Sequence, residues 1–176
     1  MLLCTDKVRI IPFETVHSAC VYKWFHSGEY DKFFLNQGLL AFEDIPKAKM
    51  NTLVLVNPIN LDEVFGIFTM TAVEERHRNL NVGLLVDKLY HGTGIAFDGL
   101  KLGLYNVFNN MNFYKAKCCP LESNLASIKL AEKVGFRKEG KLENEFYMDG
   151  EFHDAVLLGL TKGPFNKRYK AELEKR

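Results

Sequence analysis

Leu80-Asn81-Val82-Gly83-Leu84-Leu85-Val86, followed after four intervening residues by His91-Gly92-Thr93-Gly94-Ile95-Ala96, is the stretch whose reading decides the fold. The first segment reads as a strand, hairpin partner to the one before it. The second is a glycine turn. From there the period changes: Phe97, Leu100, Leu104, Val107, Phe108 and Met111 recur at three- and four-residue steps, which predicts one face of a helix of about four turns. A strand therefore runs through a glycine turn into a helix. Glycines let the backbone turn tightly and approach a ligand closely. The N–H groups of the helix's first turn then face outward, and the helix dipole favours an anion there. A diphosphate suits that place.

Working outward, Lys7 to Ile11 reads as a first strand, and Thr15 begins a helical stretch through Trp24 and Phe25. Phe33 to Met50 reads as helix and loop covering a sheet. Thr52 to Val56 and Val64 to Val73 are strands, the latter a hairpin partner of Leu80 to Val86. Ala116 to Cys119 reads as a short buried strand ending at Pro120. Asn124 to Val134 is helical again, with Gly135 at its C-cap. Two strands follow, Lys141 to Met148 and Phe152 to Leu160, joined by the hairpin signal Asp149-Gly150. A short exposed helix is expected after Pro164. The order predicts one mixed α/β domain over residues 1–176.

Three phosphate-binding patterns compete for the glycine turn. A Rossmann fingerprint needs a third glycine where Phe97 stands, and the Gly-Lys-Ser/Thr of a Walker A loop is missing. The third pattern, Arg/Gln-x-x-Gly-x-Gly/Ala, matches at Gly94-Ile95-Ala96, with His91 in its first position. Downstream, Asn124-Leu125-Ala126-Ser127 and Gly135-Phe136-Arg137-Lys138-Glu139-Gly140 are followed by Asp149-Gly150-Glu151-Phe152-His153-Asp154. In order and spacing these resemble the signatures of the GNAT superfamily of N-acetyltransferases, and within it the RimJ/RimL-type subgroup. The resemblance covers roughly Val64 to Leu160.

The resemblance implies a GNAT fold: a central twisted, mostly antiparallel sheet, flanked by helices, whose fourth and fifth strands splay apart. It implies acetyl-CoA as co-substrate, its pantetheine arm pairing with Leu84, Leu85 and Val86. Backbone N–H groups of Gly92, Thr93, Gly94, Ile95 and Ala96, beginning from His91, would hold the diphosphate. Asn124 and Ser127 would contact the cofactor from the next helix. Lys129 and Lys133, one turn apart, are candidates for positive charge near the nucleotide, or else a solvated helix face.

Acetyl transfer needs a neutral amine, a polarised carbonyl and a proton for the departing thiolate. A protein α-amine, with a reference pKa near ~8, is neutral in about a tenth of molecules at neutral pH, and a lysine-like amine at ~10.4 in fewer than about one in a thousand. An α-amine thus reacts with modest base help, and a protein N-terminus is the expected acceptor; a polyamine, amino sugar or antibiotic amine is the alternative. A backbone N–H of the fourth strand would stabilise the oxyanion. Where several GNATs carry a tyrosine as thiolate acid this chain has Ala131, and the acidic residue common near the start of the fourth strand is Asn81. A non-catalytic acetyl-CoA-binding module is therefore a second reading. By likeness to the subgroup, Ser127 is the candidate hydroxyl donor and Glu145 the candidate amine base or anchor. Glu74, Glu75 and His77 read as a solvent-facing turn, or as a base acting through water. Trp24, Phe25, Tyr30, Phe33 and Phe34 are core, or line an acceptor mouth.

Composition bounds the partners. Lys and Arg number 23 against 22 Asp and Glu, a net charge of +1, which argues against holding nucleic acid through many phosphates. Cys4, Cys20, Cys118 and Cys119 have no metal-ligand spacing, and Cys119 reads as an inert small hydrophobe rather than an acyl-carrying nucleophile. No apolar run nears the ~20 residues of a membrane span, and charge arrives by Asp6. A cytoplasmic protein, with a homodimer through its final strands, is the expectation.

Overall fold

The computed structural model describes residues 3–27 and 51–175. Among the described residues, β1 (Arg9–Pro12), β2 (Thr52–Val56), β3 (Val64–Glu74), β4 (Asn79–Val86), β5 (Lys115–Cys118), β6 (Arg137–Met148) and β7 (Glu151–Thr161) are hydrogen-bonded in the order β1-β2-β3-β4-β5-β7-β6. Contacts gather into two compact units, Met1–Thr69 with Leu84–Gly99, and Met70–Gly83 with Leu100–Arg176.

In the first unit, β1 (Arg9–Pro12) pairs antiparallel with β2 (Thr52–Val56), and β2 with the start of β3 (Val64–Glu74). The expected first strand starts two residues later than Lys7. The hydroxyl of Thr5 accepts the N–H groups of Lys7 and Val8, both at 3.2 Å, and bends the chain there into a turn. After a 3₁₀ turn at Thr15–His17, α1 (Ser18–His26) turns Val21, Trp24 and Phe25 inward. With Phe13 they pack on Val54, Val56, Ile67 and Leu85. This core occupies Trp24 and Phe25; Tyr30, Phe33, Phe34 and the expected helix and loop of Phe33 to Met50 lie outside the described residues. The second half of β4 (Asn79–Val86) and the first turn of α2 (Ile95–Tyr105) complete this unit. Any side chain at Gly99 would strike Leu55, so glycine lets α2 lie close on β2.

In the second unit, β4 pairs parallel with β5 (Lys115–Cys118) through three residue pairs, Asn79↔Lys115 to Asn81↔Lys117. β5 pairs antiparallel with β7 (Glu151–Thr161), and β7 with β6 (Arg137–Met148). Both hairpin strands are longer than their alternation suggests, and β6 carries a bulge between Leu142 and Phe146, with Asn144 at φ 54°. The end of α2 passes into a π turn, Asn106–Asn110, closed by the Met111 N–H on the Asn106 carbonyl at 2.9 Å. The run from Ile95 to Asn110 thus has the expected length. α3 (Leu125–Val134) ends at Gly135, whose φ of 121° explains the glycine.

The last helix departs from expectation. α4 spans Lys162–Leu173, so it begins before Pro164, which sits in the first turn where no N–H is needed. It is not simply exposed: Phe165, Tyr169 and Leu173 are buried, and Phe165 packs at a tilt of 54° against Phe108 with centroids 5.2 Å apart. That face, at i, i+4 and i+8, is sparse enough to be hidden among the surrounding charges.

Candidate active site

The loop after β4 is built from its base upward. Asp87 ends the strand with its N–H on the Phe65 carbonyl at 2.8 Å. One carboxylate oxygen accepts the Leu89 N–H at 3.0 Å, starting a 3₁₀ turn at Lys88–Tyr90, and the other accepts the Trp24 indole N–H at 2.8 Å. The loop is thereby tied to the core. Tyr90 packs against Phe65 and donates its hydroxyl to Glu63 at 3.1 Å; burial, then the Glu63 carboxylate, raises its pKa.

His91 turns back toward the strand. Its Nε2 lies 2.9 Å from the Val86 carbonyl, which only accepts, so Nε2 carries the hydrogen. The ring is thus a strut for the loop. Gly92 and Gly94 take φ of 78° and 90°, conformations costly for other residues. A Cβ at Gly92 would meet nothing within 4 Å, so the loop's outer side is open. The Thr93 hydroxyl donates to the Tyr90 carbonyl at 2.6 Å, which fixes the turn. The first intrahelical bond of α2 runs from the Asp98 N–H to the Gly94 carbonyl, so the N–H groups of Gly94 and Ala96 precede it and have no intrahelical acceptor. Backbone donors, an open approach and a helix N-terminus fit a diphosphate. Leu84 is half-buried, and Leu85 and Val86 are buried. A side chain at Gly66 would strike the Leu85 carbonyl, so β3 and β4 approach closely there. His91, Gly92, Thr93, Gly94, Ile95 and Ala96 thus stand together at the end of the strand that carries Leu84 to Val86.

The second unit holds the other candidates. Asn124 is the N-cap of α3: its side-chain oxygen accepts the Ser127 N–H at 3.1 Å. Ser127 is half-buried, and the cap engages its N–H, not its hydroxyl. Lys129 and Lys133 are exposed on α3. Ala131 is buried. Glu145 is exposed within the bulge of β6. Its carboxylate makes itself felt at Cys119, whose thiol is pushed up by burial and then by Glu145. Burial raises Cys118 to about 12. Both are protonated thiols near neutral pH, poor nucleophiles. Glu74, Glu75 and His77 lie exposed at the turn between β3 and β4.

Sequence reasoning missed Asp87, Lys7 and the ion-pair group behind the bulge. There Lys141 lies 2.8 Å from both Glu122 and Asp154, and Asp154 accepts the Asn144 N–H at 2.9 Å. A hairpin aspartate in the motif Asp149–Asp154 was visible; its partners were not.

A sequence profile of the acetyltransferase (GNAT) domain matches residues 14–137. The spermidine N(1)-acetyltransferase of Escherichia coli (strain K12) is 27% identical over 110 residues, 62% of this chain and 57% of that protein. A putative ribosomal N-acetyltransferase of Bacillus subtilis (strain 168) is 25% identical over 97 residues, 55% of this chain and 53% of the other. The aligned part spans little more than half the length of these curated relatives. Among solved structures, a spermidine N-acetyltransferase from Vibrio cholerae in complex with CoA and spermine superposes with a TM-score of 0.83 at 15% identity, over 92% of this chain and 99% of that one. A GNAT-family acetyltransferase from Bacillus anthracis gives 0.80 at 18% identity, over 92% and 99%. The structural likeness establishes the fold, and the profile match covers most of the sequence, including the loop and the capped helix: the chain belongs to the GNAT acetyltransferase family.

Proposed function

We propose that this protein transfers the acetyl group of acetyl-CoA to a primary amine, and that the amine is a small polyamine-like molecule. The observation that carries the cofactor assignment is the loop from Gly92 to Ala96, with its open side and its N–H groups ahead of the first bond of α2. The diphosphate is held there, and the pantetheine arm runs along Leu84 to Val86. Beyond Asn81 the β4–β5 ladder has ended, which suits a strand whose polar edge takes a ligand. The amine's lone pair attacks the thioester carbonyl, the carbon–sulfur bond breaks, and the amine's proton leaves to a base while the thiolate takes one up. Glu145 is proposed as base or anchor for the amine, and Ser127 as hydroxyl donor to the thiolate. Asn124, Lys129 and Lys133 are proposed as further contacts of the cofactor. The motif set from Asn124 to Asp154 supports placing the chain near the RimJ/RimL-type enzymes.

The acceptor class rests on the relatives named for spermidine in Escherichia coli and Vibrio cholerae. It replaces the protein N-terminus as the leading reading. A protein α-amine remains the second, favoured by the ribosomal relative and by its larger neutral fraction at neutral pH. Thiol release from acetyl-CoA, measured with spermidine, an amino sugar and a short unblocked peptide, separates the two. Faster release with spermidine supports the first reading, and release with the peptide alone reverses the order. Acetyl-CoA binding with no release for any amine would leave a binding module.

A further inference from the structure

The diphosphate loop of this chain lacks the Arg or Gln that the motif carries, and His91 does not replace it. Its Nε2 is engaged by the Val86 carbonyl. The first turn of α2 also carries a carboxylate, Asp98, which opposes an anion at a helix N-terminus. Backbone donors at this loop thus share the helix N-terminus with a carboxylate.

The turn before β1 places a cation there. Lys7 Nζ donates to the Thr93 carbonyl at 3.0 Å, and a Cβ built on Gly94 would lie 3.0 Å from the same nitrogen. The ammonium thus sits beside the glycine whose N–H precedes the helix. An ammonium has three donors, of which the Thr93 carbonyl takes one. Thr5 orients this turn. It is 5% exposed, accepts the N–H groups of Lys7 and Val8, and its hydroxyl stands 3.3 Å from Asp98 Oδ2 and 3.4 Å from the Val8 carbonyl. One turn therefore touches both the loop and the first turn of α2. Both residues precede residue 14, where the profile match begins.

We infer that Lys7 belongs to the cofactor site: its ammonium is the cation that meets the diphosphate of acetyl-CoA, and Thr5 is the residue that positions it. The inference rests on the acetyl-CoA reading above. It adds a charged contact from outside the matched residues, in a loop whose own motif position is filled by a histidine engaged elsewhere.

Calorimetric titration of the full chain tests it, with acetyl-CoA and with 3′-dephospho-acetyl-CoA, which keeps the diphosphate. Lys7→Met is expected to raise Kd about tenfold for both ligands, as the loss of one charge-assisted hydrogen bond would. Its Kd should also depend less steeply on salt than that of the wild type. Lys7→Arg, which keeps the charge, should stay within about threefold of wild type. Because Lys7 is exposed, the melting temperature of the ligand-free Lys7→Met protein should match wild type. Equal Kd values for Lys7→Met and wild type would overturn the inference while leaving the acetyl-CoA reading intact. So would a loss confined to acetyl-CoA, which would assign Lys7 to the 3′-phosphate. No heat from wild type with either ligand would instead bring down the acetyl-CoA reading itself.

Discussion

Glu145 and Cys119 are neighbours in charge, and each invites a different chemistry. The Cys119 thiol is raised by burial first and by the Glu145 carboxylate second, which keeps the thiol neutral. A thiol held protonated in this way is a poor nucleophile at neutral pH. If Glu145 takes the amine's proton or anchors the amine, Glu145→Gln should lower turnover about a hundredfold, the lower end of what a positioned acid or base supplies. Cys119→Ala should leave turnover within about twofold. Steady-state thiol release for the two variants decides the matter. Comparable losses in both would return the cysteine to the mechanism, and none in either would remove Glu145 from it. Ser127 was legible only through its family motif, since nothing in its local spacing marks a hydroxyl that a helix cap leaves unengaged.

At the scale of elements, α3 and the β6–β7 hairpin are held by polar devices that sequence reading catches unevenly. The Asn124 cap is a helix-start signal, and Gly135 a helix-stop signal; both were readable because capping is local. Asn124→Ala should cost about 1 kcal/mol of stability, seen as a shift of the denaturation midpoint. Asn124→Asp keeps the capping oxygen, so it should preserve that stability. If the amide also meets the cofactor, Asn124→Asp should weaken acetyl-CoA binding, and unchanged binding would confine Asn124 to the cap. The bulge of β6 was not readable, because it depends on partners distant in sequence. Asp154 is drawn below the ordinary carboxylate range by hydrogen bonds from Lys141 and from the Asn144 N–H, and Lys141 is raised by Asp154 and then Glu122. The depressed Asp154 adds stability that is present above its unfolded pKa and lost as pH falls through its lower folded value. The raised Lys141 adds stability that is full below its unfolded pKa and lost only as pH rises through its higher folded value. Asp154→Asn should therefore flatten the acid limb of the stability curve below about pH 4. An unchanged acid limb would show that the hairpin does not depend on this group.

For the whole molecule, the order of elements was readable and the reach of single side chains was not. A strand, a glycine turn and a helix are local patterns, whereas Lys7 meets Thr93 across 86 positions and leaves no local trace. The dimer expected through the final strands also shifts in detail. β7 lies inside the strand order and β6 is last in it, so the open edge belongs to β6, with the aromatic pair Tyr147 and Phe152 exposed beside its hairpin turn. Pairing of two copies through β6 remains a proposal, and light scattering of the purified chain would read it. The acetyl-CoA reading has its own global consequence. A ligand that binds only the folded chain stabilises it by RT ln(1 + [L]/Kd), which at a hundredfold excess over Kd is about 2.7 kcal/mol. For a chain of this length that corresponds to a rise in Tm of roughly 5–10 °C. The rise should grow with the logarithm of acetyl-CoA concentration and should shrink in Lys7→Met at the same concentration. A flat Tm across that range would mean that the open loop grips nothing, however well its glycines are placed.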